Sequence, residues 1–280
     1  MSTPSSSAFS GLELADAPTI VVFDSGLGGL TVFREVKAAR PDAHFIYVAD
    51  DAAFPYGDMP EEALITRILH VIGKAIAEHK PDLIVVACNT ASTLALKELR
   101  ARYQVPFVGT VPAIKPACAR SKTKRIAVLG TQATVGREYT KALIREFAAG
   151  CEVALVGSPR LAAYAEAELA GTPAADVEIA GEILPCFLDE DGDRTDTVVL
   201  ACTHYPLLLS RFRRVAPWPV EWMDPAPAIA RRVADLLHER PATLAPPPPP
   251  GIVFTSGRAP SPTLAKALSD YGFTSARQPV

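Results

Sequence analysis

Short apolar runs alternate with amphipathic stretches along nearly the whole chain, a pattern typical of an α/β protein with parallel strands. The runs are rich in Val, Ile and Leu, as expected of strands that are buried on both faces. They predict strands near Thr19–Phe23, His44–Val48, Leu83–Ala87, Val105–Val108, Ile126–Leu129, Glu152–Val156, Val198–Ala201, Val220–Met223 and Ile252–Thr255. The amphipathic stretches predict helices at Glu61–Lys80, Thr90–Arg102, Gly136–Ala149 and Pro227–Arg240.

Two segments rich in proline and turn residues, Gly109–Pro116 and Met223–Pro227, divide this pattern. A further strand and helix follow the second segment, so we expect the C-terminal part to return to the first domain. The predicted division is a flexible tail at 1–17, a first α/β domain at 18–114 plus 226–280, and a second α/β domain at 115–225. The run Pro246–Pro250 is predicted to be a polyproline II spacer.

One short phrase occurs twice, and each copy carries a cysteine. Cys88 lies in Leu83–Thr90 and Cys202 in Thr197–His204, each after a strand pattern and before residues that cap a helix. Open α/β sheets bind ligands at the carboxyl ends of their strands, and a helix N-terminus favours a thiolate. A single cysteine in such a place is usually a packing residue, but the repetition favours function. Two thiols that flank one small substrate are suited to moving a proton between the two faces of a carbon.

Composition narrows the classes of function. The chain has 280 residues, of which 49% are hydrophobic and 21% charged, with a formal net charge of −3. This balance predicts a globular protein, and no basic run predicts a nucleic-acid partner. No apolar run predicts a membrane span, and Met1–Ala17 lacks the features of a signal peptide. We therefore expect a cytoplasmic protein.

The five cysteines are widely spaced and odd in number, so disulfides are not expected to organise the fold. Three of them lack the repeated context and are assigned to packing or the surface: Cys118, Cys151 and Cys186. A zinc site formed by Cys88, Cys202 and His204 is a minor alternative, because three ligands plus water suit catalytic zinc. The close ligand pairing typical of metal sites is missing.

Two loops after the first strands carry polar residues toward the predicted crevice. The glycine-rich loop Asp24–Gly29 places Asp24 and Ser25 at a strand end. The loop is only a weak match to a dinucleotide-binding fingerprint, because Thr31 stands where the third glycine is required. The second loop contains the rigid turn Pro55–Gly57. No lysine lies in a setting that predicts a Schiff base, so pyridoxal phosphate is not expected and no cofactor is predicted.

An ordered set of motifs resembles the glutamate racemase family across nearly the whole chain. The motifs are Val22–Gly29, Pro55–Gly57, Ala87–Ala91, Ala201–Pro206, Val128–Thr131 with Thr134, and Asp224–Ala226. The resemblance implies a cofactor-independent enzyme that interconverts L- and D-glutamate for peptidoglycan synthesis. It also implies a fold of two pseudo-symmetric, doubly wound parallel-sheet domains with the active site between them.

The resemblance also implies roles for individual residues. Cys88 and Cys202 correspond to the two acid/base thiols, with Asp24 assisting the first and His204 the second. The implied substrate-binding residues are Asp24, Ser25, Tyr56, Gly57, Asn89, Thr90, Thr203 and His204. Glu166 corresponds to a further acid near the site, although Ser158 precedes Pro159 where the family usually has Cys. Ala53 stands where the family usually carries a basic residue.

Three alternatives remain at this stage. The first is an aspartate racemase, although Thr203-His204 after the second cysteine favours glutamate over the Thr-Glu typical of that group. The second is a related arylmalonate-type enzyme, and the third is a module that binds an anionic amino acid without chemistry. The expected partner is the small molecule glutamate, and a homodimer is left open.

Overall fold

The computed structural model describes residues 17–190, 192–238, 247–274 and 276–277. The strands in this part of the chain are β1 (Thr19–Asp24), β2 (His44–Ala49), β3 (Leu83–Val86), β4 (Phe107–Gly109), β5 (Arg125–Thr131), β6 (Glu152–Ser158), β7 (Asp189–Glu190), β8 (Asp193–Arg194), β9 (Thr197–Ala201), β10 (Glu221–Met223), β11 (Gly251–Phe254) and β12 (Ala276–Arg277). The α-helices are α1 (Leu30–Ala39), α2 (Glu61–His79), α3 (Asn89–Arg102), α4 (Ile114–Arg120), α5 (Gln132–Gly136), α6 (Glu138–Phe147), α7 (Leu161–Leu169), α8 (Asp176–Ile183), α9 (Leu209–Val215), α10 (Ala226–Leu236) and α11 (Pro262–Asp270). Short 3₁₀ turns lie at Asp51–Ala53, Tyr56–Asp58, Leu184–Cys186 and Tyr205–Leu208.

Two parallel sheets share one strand order. The first sheet runs β12-β11-β2-β1-β3-β4 and the second β10-β9-β5-β6, while β7 and β8 form a small antiparallel hairpin. The order β2-β1-β3-β4 in the first sheet repeats as β6-β5-β9-β10 in the second. Strands β3 and β9 are therefore equivalent, and each lies beside the central strand of its own half. The predicted fold class, two pseudo-symmetric doubly wound α/β units, is confirmed.

The inner strands of both sheets are buried on both faces. Successive side chains of a strand point to opposite sides, and in β1, β3 and β9 the side chains on both sides are buried. In β1, Ile20 and Val22 belong to one apolar cluster, while Val21 and Phe23 belong to another. In β5, Leu129 and its neighbours divide in the same way between two further clusters. This two-sided burial explains why the strands appear in the sequence as continuous apolar runs.

The chain passes from the first sheet to the second after β4 and returns after β10. Helix α10 then packs on α1, and β11 joins the first sheet beside β2. The division into domains at 18–114 plus 226–280 and at 115–225 stays a prediction. Residues 1–16 of the predicted tail lie outside the described residues. Of the predicted proline spacer, Pro246 also lies outside them, and residues 247–250 are assigned to neither a helix nor a strand.

Several element boundaries differ from the prediction for local reasons. The predicted helix Gly136–Ala149 is α6, which begins at Glu138 because Arg137 adopts an extended backbone conformation, and the short helix α5 that ends at Gly136 was not predicted. Strand β4 begins at Phe107 rather than Val105, since Pro106 has no N–H to donate to a ladder. Helix α10 ends at Leu236 rather than Arg240. In the described part of the chain, no helix has the length and apolar character needed to cross a membrane.

Candidate active site

The two cysteines of the repeated phrase lie at equivalent places in the two halves. Cys88 follows β3 and caps α3, where its sulfur accepts a hydrogen bond from the N–H of Ala91 at 3.5 Å. Cys202 follows β9. It is not followed directly by an α-helix, because the 3₁₀ turn Tyr205–Leu208 comes first and contains Pro206 near its start. Both cysteines are buried.

Both thiols line one cavity between the two sheets. The lining residues are Ser25, Phe54, Pro55, Tyr56, Gly57, Cys88, Asn89, Thr90, Thr131, Ala162, Ala201, Cys202, Thr203 and His204. Of the predicted site residues, Asp24 and Glu166 are outside this set. The cavity volume is about 30 Å³, well below the ~300–1,000 Å³ of ordinary ligand pockets. The cavity as it stands is therefore too small for an amino acid and must widen before one enters.

Larger cavities of about 540 and 630 Å³ lie elsewhere on the protein. The first is lined by segments that follow β4 and β10, and the second by α1, α7 and α11. Neither is lined by a cysteine. The small cavity is therefore the candidate active site, because it combines the two thiols with most of the predicted polar residues.

The surroundings of Cys88 favour a protonated thiol. Burial, together with the nearby charge of Asp24, raises the pKa of Cys88 to about 12. The thiol donates a long hydrogen bond to Ser25 Oγ, 3.6 Å away. In this arrangement Cys88 is suited to deliver a proton.

The surroundings of Cys202 are different, because a charged pair of side chains adjoins it. The sulfur lies 3.8 Å from His204 Nδ1, and His204 Nε2 lies 2.8 Å from Glu166 Oε1. Burial opposes the charge on the imidazole, but the contacts with Cys202 and Glu166 outweigh it and raise the pKa of His204 well above its usual value. A protonated His204 can donate to the sulfur on one side and to the carboxylate on the other.

Glu166 joins the two halves of the molecule at the site. It lies on α7, in the half built around the second sheet, and its Oε1 accepts a hydrogen bond of 2.6 Å from the N–H of Leu27 in the loop after β1. The glycines of that loop permit this approach. A Cβ at Gly26 would lie 2.4 Å from Glu166, and one at Gly28 would lie 2.4 Å from His204.

Asp24 is fully buried at the end of β1. Its Oδ1 accepts a hydrogen bond of 3.1 Å from Thr203 Oγ1, and its Oδ2 accepts one of 3.2 Å from the N–H of Gly26. Burial raises its pKa, although the nearby charge of His204 and the hydrogen bonds oppose this. The carboxylate thus links the glycine-rich loop to the residue that follows Cys202.

Polar groups without protein partners face the cavity at the start of α3. Asn89 is buried, and in the described part of the chain neither its amide nitrogen nor its amide oxygen has a hydrogen-bond partner. A buried side chain seldom leaves both groups unpaired, so they are available to a ligand. The neighbouring Thr90 hydroxyl contacts Thr134 at 3.2 Å and Thr131 at 3.4 Å, across the junction between the halves.

A hydrogen-bond network that holds the cavity-lining residue Tyr56 was not predicted from the sequence. Tyr56 Oη donates to Asp50 Oδ2 at 2.6 Å, and Arg67 of α2 binds both oxygens of the same carboxylate, at 2.9 and 2.6 Å. Thr255 Oγ1 adds a fourth hydrogen bond at 2.6 Å. A guanidinium therefore reaches this loop from α2, although Ala53 lacks the expected basic group. Phe54 is a further unpredicted lining residue, with its ring 5.4 Å from that of His204.

The zinc alternative is not supported by the arrangement of side chains. Within the residues that the structure describes, no group of three or more His, Cys, Asp or Glu side chains is placed to hold a metal ion. Cys88, Cys202 and His204 therefore do not form such a group. The other three cysteines lie away from the cavity lining, as expected from their sequence context.

Comparison with known proteins agrees with this geometry. The model of the Asp/Glu/Hydantoin racemase family matches residues 31–233, more than half of the chain. The chain belongs to this family. The matched region includes both cysteines of the cavity and the histidine beside Cys202.

Relatives within the family are similar over most of the chain. A glutamate racemase of Brucella anthropi is 55% identical over 235 residues, which cover 83% of this chain and 84% of that protein. A crystal structure of Escherichia coli glutamate racemase with L-glutamate and the activator UDP-MurNAc-Ala superposes with a TM-score of 0.84 at 38% identity, covering 92% and 96% of the two chains. The Thermus thermophilus glutamate racemase with β-chloro-D-alanine gives a TM-score of 0.71 at 30% identity, covering 94% and 96%. The resemblance stated from the sequence motifs is confirmed.

Proposed function

We propose that this protein is a glutamate racemase that interconverts L- and D-glutamate by two-base proton transfer, without a cofactor. The observation that carries the proposal is the presence of two thiols from equivalent strands at one closed cavity. Binding alone needs neither thiol, so the pair argues against a module that only holds an amino acid. The identity to glutamate racemases supports glutamate rather than aspartate or an arylmalonate as the substrate.

The proposed chemistry uses one sulfur as a base and the other as an acid on opposite faces of the substrate's α-carbon. One cysteine acts as a thiolate: it takes the α-hydrogen of glutamate, so that a C–H bond breaks and an S–H bond forms. The opposite thiol gives its proton to the other face of the same carbon. The reverse reaction exchanges the two roles. Thiols suit both steps because their ordinary pKa, about 8.5, makes acid and base forms accessible near neutral pH.

The carbanion formed between these steps needs stabilisation. We assign this role to polar groups at the start of α3 and after β9, where Asn89, Thr90 and Thr203 face the cavity. The unpaired amide of Asn89 supports the assignment, since an amino acid offers both a donor and acceptors. Backbone N–H groups at the start of a helix favour a carboxylate on which negative charge develops. The remaining proposed substrate contacts are Ser25, Tyr56, Gly57 and His204.

We further propose that Asp24 assists Cys88 and that His204, held by Glu166, assists Cys202. The contact between His204 and Cys202 supports the second assignment directly. For Asp24 the support is electrostatic, because its charge contributes to the raised pKa of Cys88 while its hydrogen bonds go to Thr203 and Gly26.

The cellular role that we propose is the supply of D-glutamate for peptidoglycan, in the cytoplasm. A homodimer remains a proposal to be tested by light scattering.

The experiment that tests the proposed function is direct. The purified protein is incubated with L-glutamate in the presence of EDTA. Optical rotation is followed over time, and the products are separated by chiral chromatography. We expect the rotation to decay to zero as equal amounts of the two enantiomers form. Rotation that persists with folded protein would reject the proposal, and activity that returns only with zinc would favour a metal-dependent mechanism.

A further inference from the structure

Two of the cysteines outside the active-site cavity lie against each other. Cys118 is near the end of α4, and Cys151 directly precedes β6. The thiol of Cys151 donates a weak hydrogen bond of 3.7 Å to the carbonyl oxygen of Cys118. The two side chains also share a hydrogen bond, and Cys151 packs against the apolar cluster that contains Cys118. Both are free thiols, so the protein holds a pair of adjacent thiols in its second half.

The fold brings this pair together although the two residues are 33 positions apart in the sequence. Helix α4 packs on α6 and on β5, and β6 pairs with β5 in parallel. The N–H of Cys151 donates a hydrogen bond of 2.9 Å to the carbonyl of Ala148. The next residue, Glu152, donates one of 2.7 Å to the carbonyl of Lys124. Both cysteines are therefore held in place by regular structure.

The two thiols differ in their access to solvent. Cys118 is only 7% exposed, whereas Cys151 is partly exposed. A small oxidant in solution therefore meets Cys151 first. Lys124 adjoins the pair, because its Nζ donates a hydrogen bond of 2.9 Å to the carbonyl of Cys118, the same oxygen that accepts the thiol of Cys151. A nearby cation favours the thiolate, which is the form of cysteine that attacks a disulfide.

The charges around Cys118 indicate the same order of reaction. Burial, together with the hydrogen bond and the charge of Cys151, raises the pKa of Cys118 to about 12, and the charge of Lys124 opposes this. A Cys151 sulfur that is bonded to another sulfur carries neither a thiol proton nor a charge. Its contribution to the raised pKa is then lost, so the Cys118 thiolate forms more readily beside the sulfur that it would attack.

We propose that Cys118 and Cys151 form a site of reversible oxidation, at which a small-molecule disulfide such as oxidised glutathione converts the two thiols into one disulfide bond. The inference goes beyond the proposed function, because neither sulfur lines the cavity. It gives these two cysteines a chemistry that the third cysteine outside the cavity, Cys186, does not share, since Cys186 is fully buried.

The reaction proceeds by two thiol–disulfide exchanges. The Cys151 thiolate attacks one sulfur of oxidised glutathione, so that a mixed disulfide forms and one glutathione leaves as a thiolate that takes up a proton. The Cys118 thiolate then attacks the Cys151 sulfur and releases the second glutathione in the same way. In total the protein loses two hydrogens and two electrons, and one oxidised glutathione is reduced to two thiols.

The bond would join α4 to the start of β6, two elements of the same half, and would not cross the junction between the halves. We therefore expect it to change stability rather than catalysis. Closing a loop of this length restricts the unfolded chain and so stabilises the folded protein, provided that the folded geometry accepts the bond.

The first test maps the bond. The protein is incubated with oxidised glutathione, free thiols are blocked with iodoacetamide, and the digest is analysed by mass spectrometry. We expect a peptide pair linked through Cys118 and Cys151, lighter by two hydrogens than the two free peptides and separated by dithiothreitol. The matched control Cys186→Ala should form the same link. Cys118→Ala should stop at a glutathione adduct on Cys151.

Two results of the mapping would overturn the inference. One is a wild-type protein in which Cys151 keeps its glutathione adduct without forming the link, or in which neither thiol reacts. The other is linkage of either cysteine to Cys186 at an equal yield, which would indicate reaction through unfolded chains. Because the mapping does not use racemase activity, its result is independent of the proposed function.

The second test measures thermal melting before and after oxidation. We expect the linked wild-type protein to melt about 5 °C higher than the reduced protein, and Cys118→Ala to show no such increase. Racemisation by the linked protein should stay within about twofold of that by the reduced protein. A lower melting temperature in the linked protein would show that the bond distorts the fold, and would contradict a site prepared by the native structure.

Discussion

At the residue scale, two chemically identical side chains have been placed in unlike surroundings. Cys88 is buried among apolar groups near a carboxylate, which holds it as a thiol. Cys202 adjoins an imidazole whose protonated form is stabilised by Glu166. The two thiols of one cavity therefore differ in their charged neighbours, which are a carboxylate for Cys88 and an imidazole–carboxylate pair for Cys202.

The first prediction concerns the five cysteines. Because each step needs its own thiol, Cys88→Ala and Cys202→Ala should each lower kcat for racemisation by ~10²–10⁴-fold or abolish it. Cys→Ser at either position should be nearly as damaging, since a hydroxyl is a much weaker base. Circular dichroism of glutamate measures the racemisation rate of each variant, from L-glutamate and from D-glutamate. The matched controls Cys118→Ala, Cys151→Ala and Cys186→Ala should keep activity, and retention of activity without either cavity thiol would contradict the two-base assignment.

The second prediction concerns Asp24 and His204, which we assign to opposite half-sites. Asp24→Asn should impair proton removal mainly in one direction and His204→Asn mainly in the other, each by on the order of a hundredfold. The equilibrium between enantiomers cannot change, so a loss in kcat must be matched by a change in KM. Progress curves started from L- and from D-glutamate measure the two directions. Equal losses in both directions for both variants would mean that these residues only bind substrate.

At the element scale, function depends on where strands end and on what holds the loops that follow them. Strands β3 and β9 present the thiols, and the loop after β1 meets Glu166 and His204 through glycines that leave no room for a side chain. The loop after β2 is different, because the bidentate contact between Arg67 and Asp50 anchors it to helix α2. That contact holds Tyr56 against the cavity.

The third prediction tests the contact between Arg67 and Asp50. Arg67→Gln leaves the buried Asp50 carboxylate without its charged partner, so the Tyr56 loop should loosen, with a loss of about 1–3 kcal/mol in stability and a several-fold higher KM. Arg67→Lys keeps the charge but not the two-pronged geometry and should be intermediate. Thermal melting and initial-rate kinetics give the two quantities. Lys74→Gln, an exposed cation on the same helix, is the control, and wild-type KM in Arg67→Gln would refute the role.

At the scale of the whole molecule, the apolar runs of the sequence predicted buried parallel strands, and the repeated phrase around Cys88 and Cys202 predicted two similar half-sites. The resemblance to a known family implied the pseudo-symmetry of the two halves and the roles of the site residues. Contacts between distant segments were not predictable, since nothing local in the sequence pairs Arg67 with Asp50. Helix α5 was also not predicted, because its five residues are too few to show an amphipathic period.

The most direct test of the central claim, that two thiols act on opposite faces of one carbon, is the fate of solvent deuterium at Cα. Protiated L-glutamate is incubated with the wild-type protein in D₂O, and both enantiomers are separated and analysed by mass spectrometry early in the reaction. The account predicts that the D-glutamate formed carries deuterium while the remaining L-glutamate keeps its hydrogen, because one group removes the proton and another delivers a different one. D-Glutamate that retains the original hydrogen, or deuterium that appears equally in both enantiomers from the first turnovers, would contradict it.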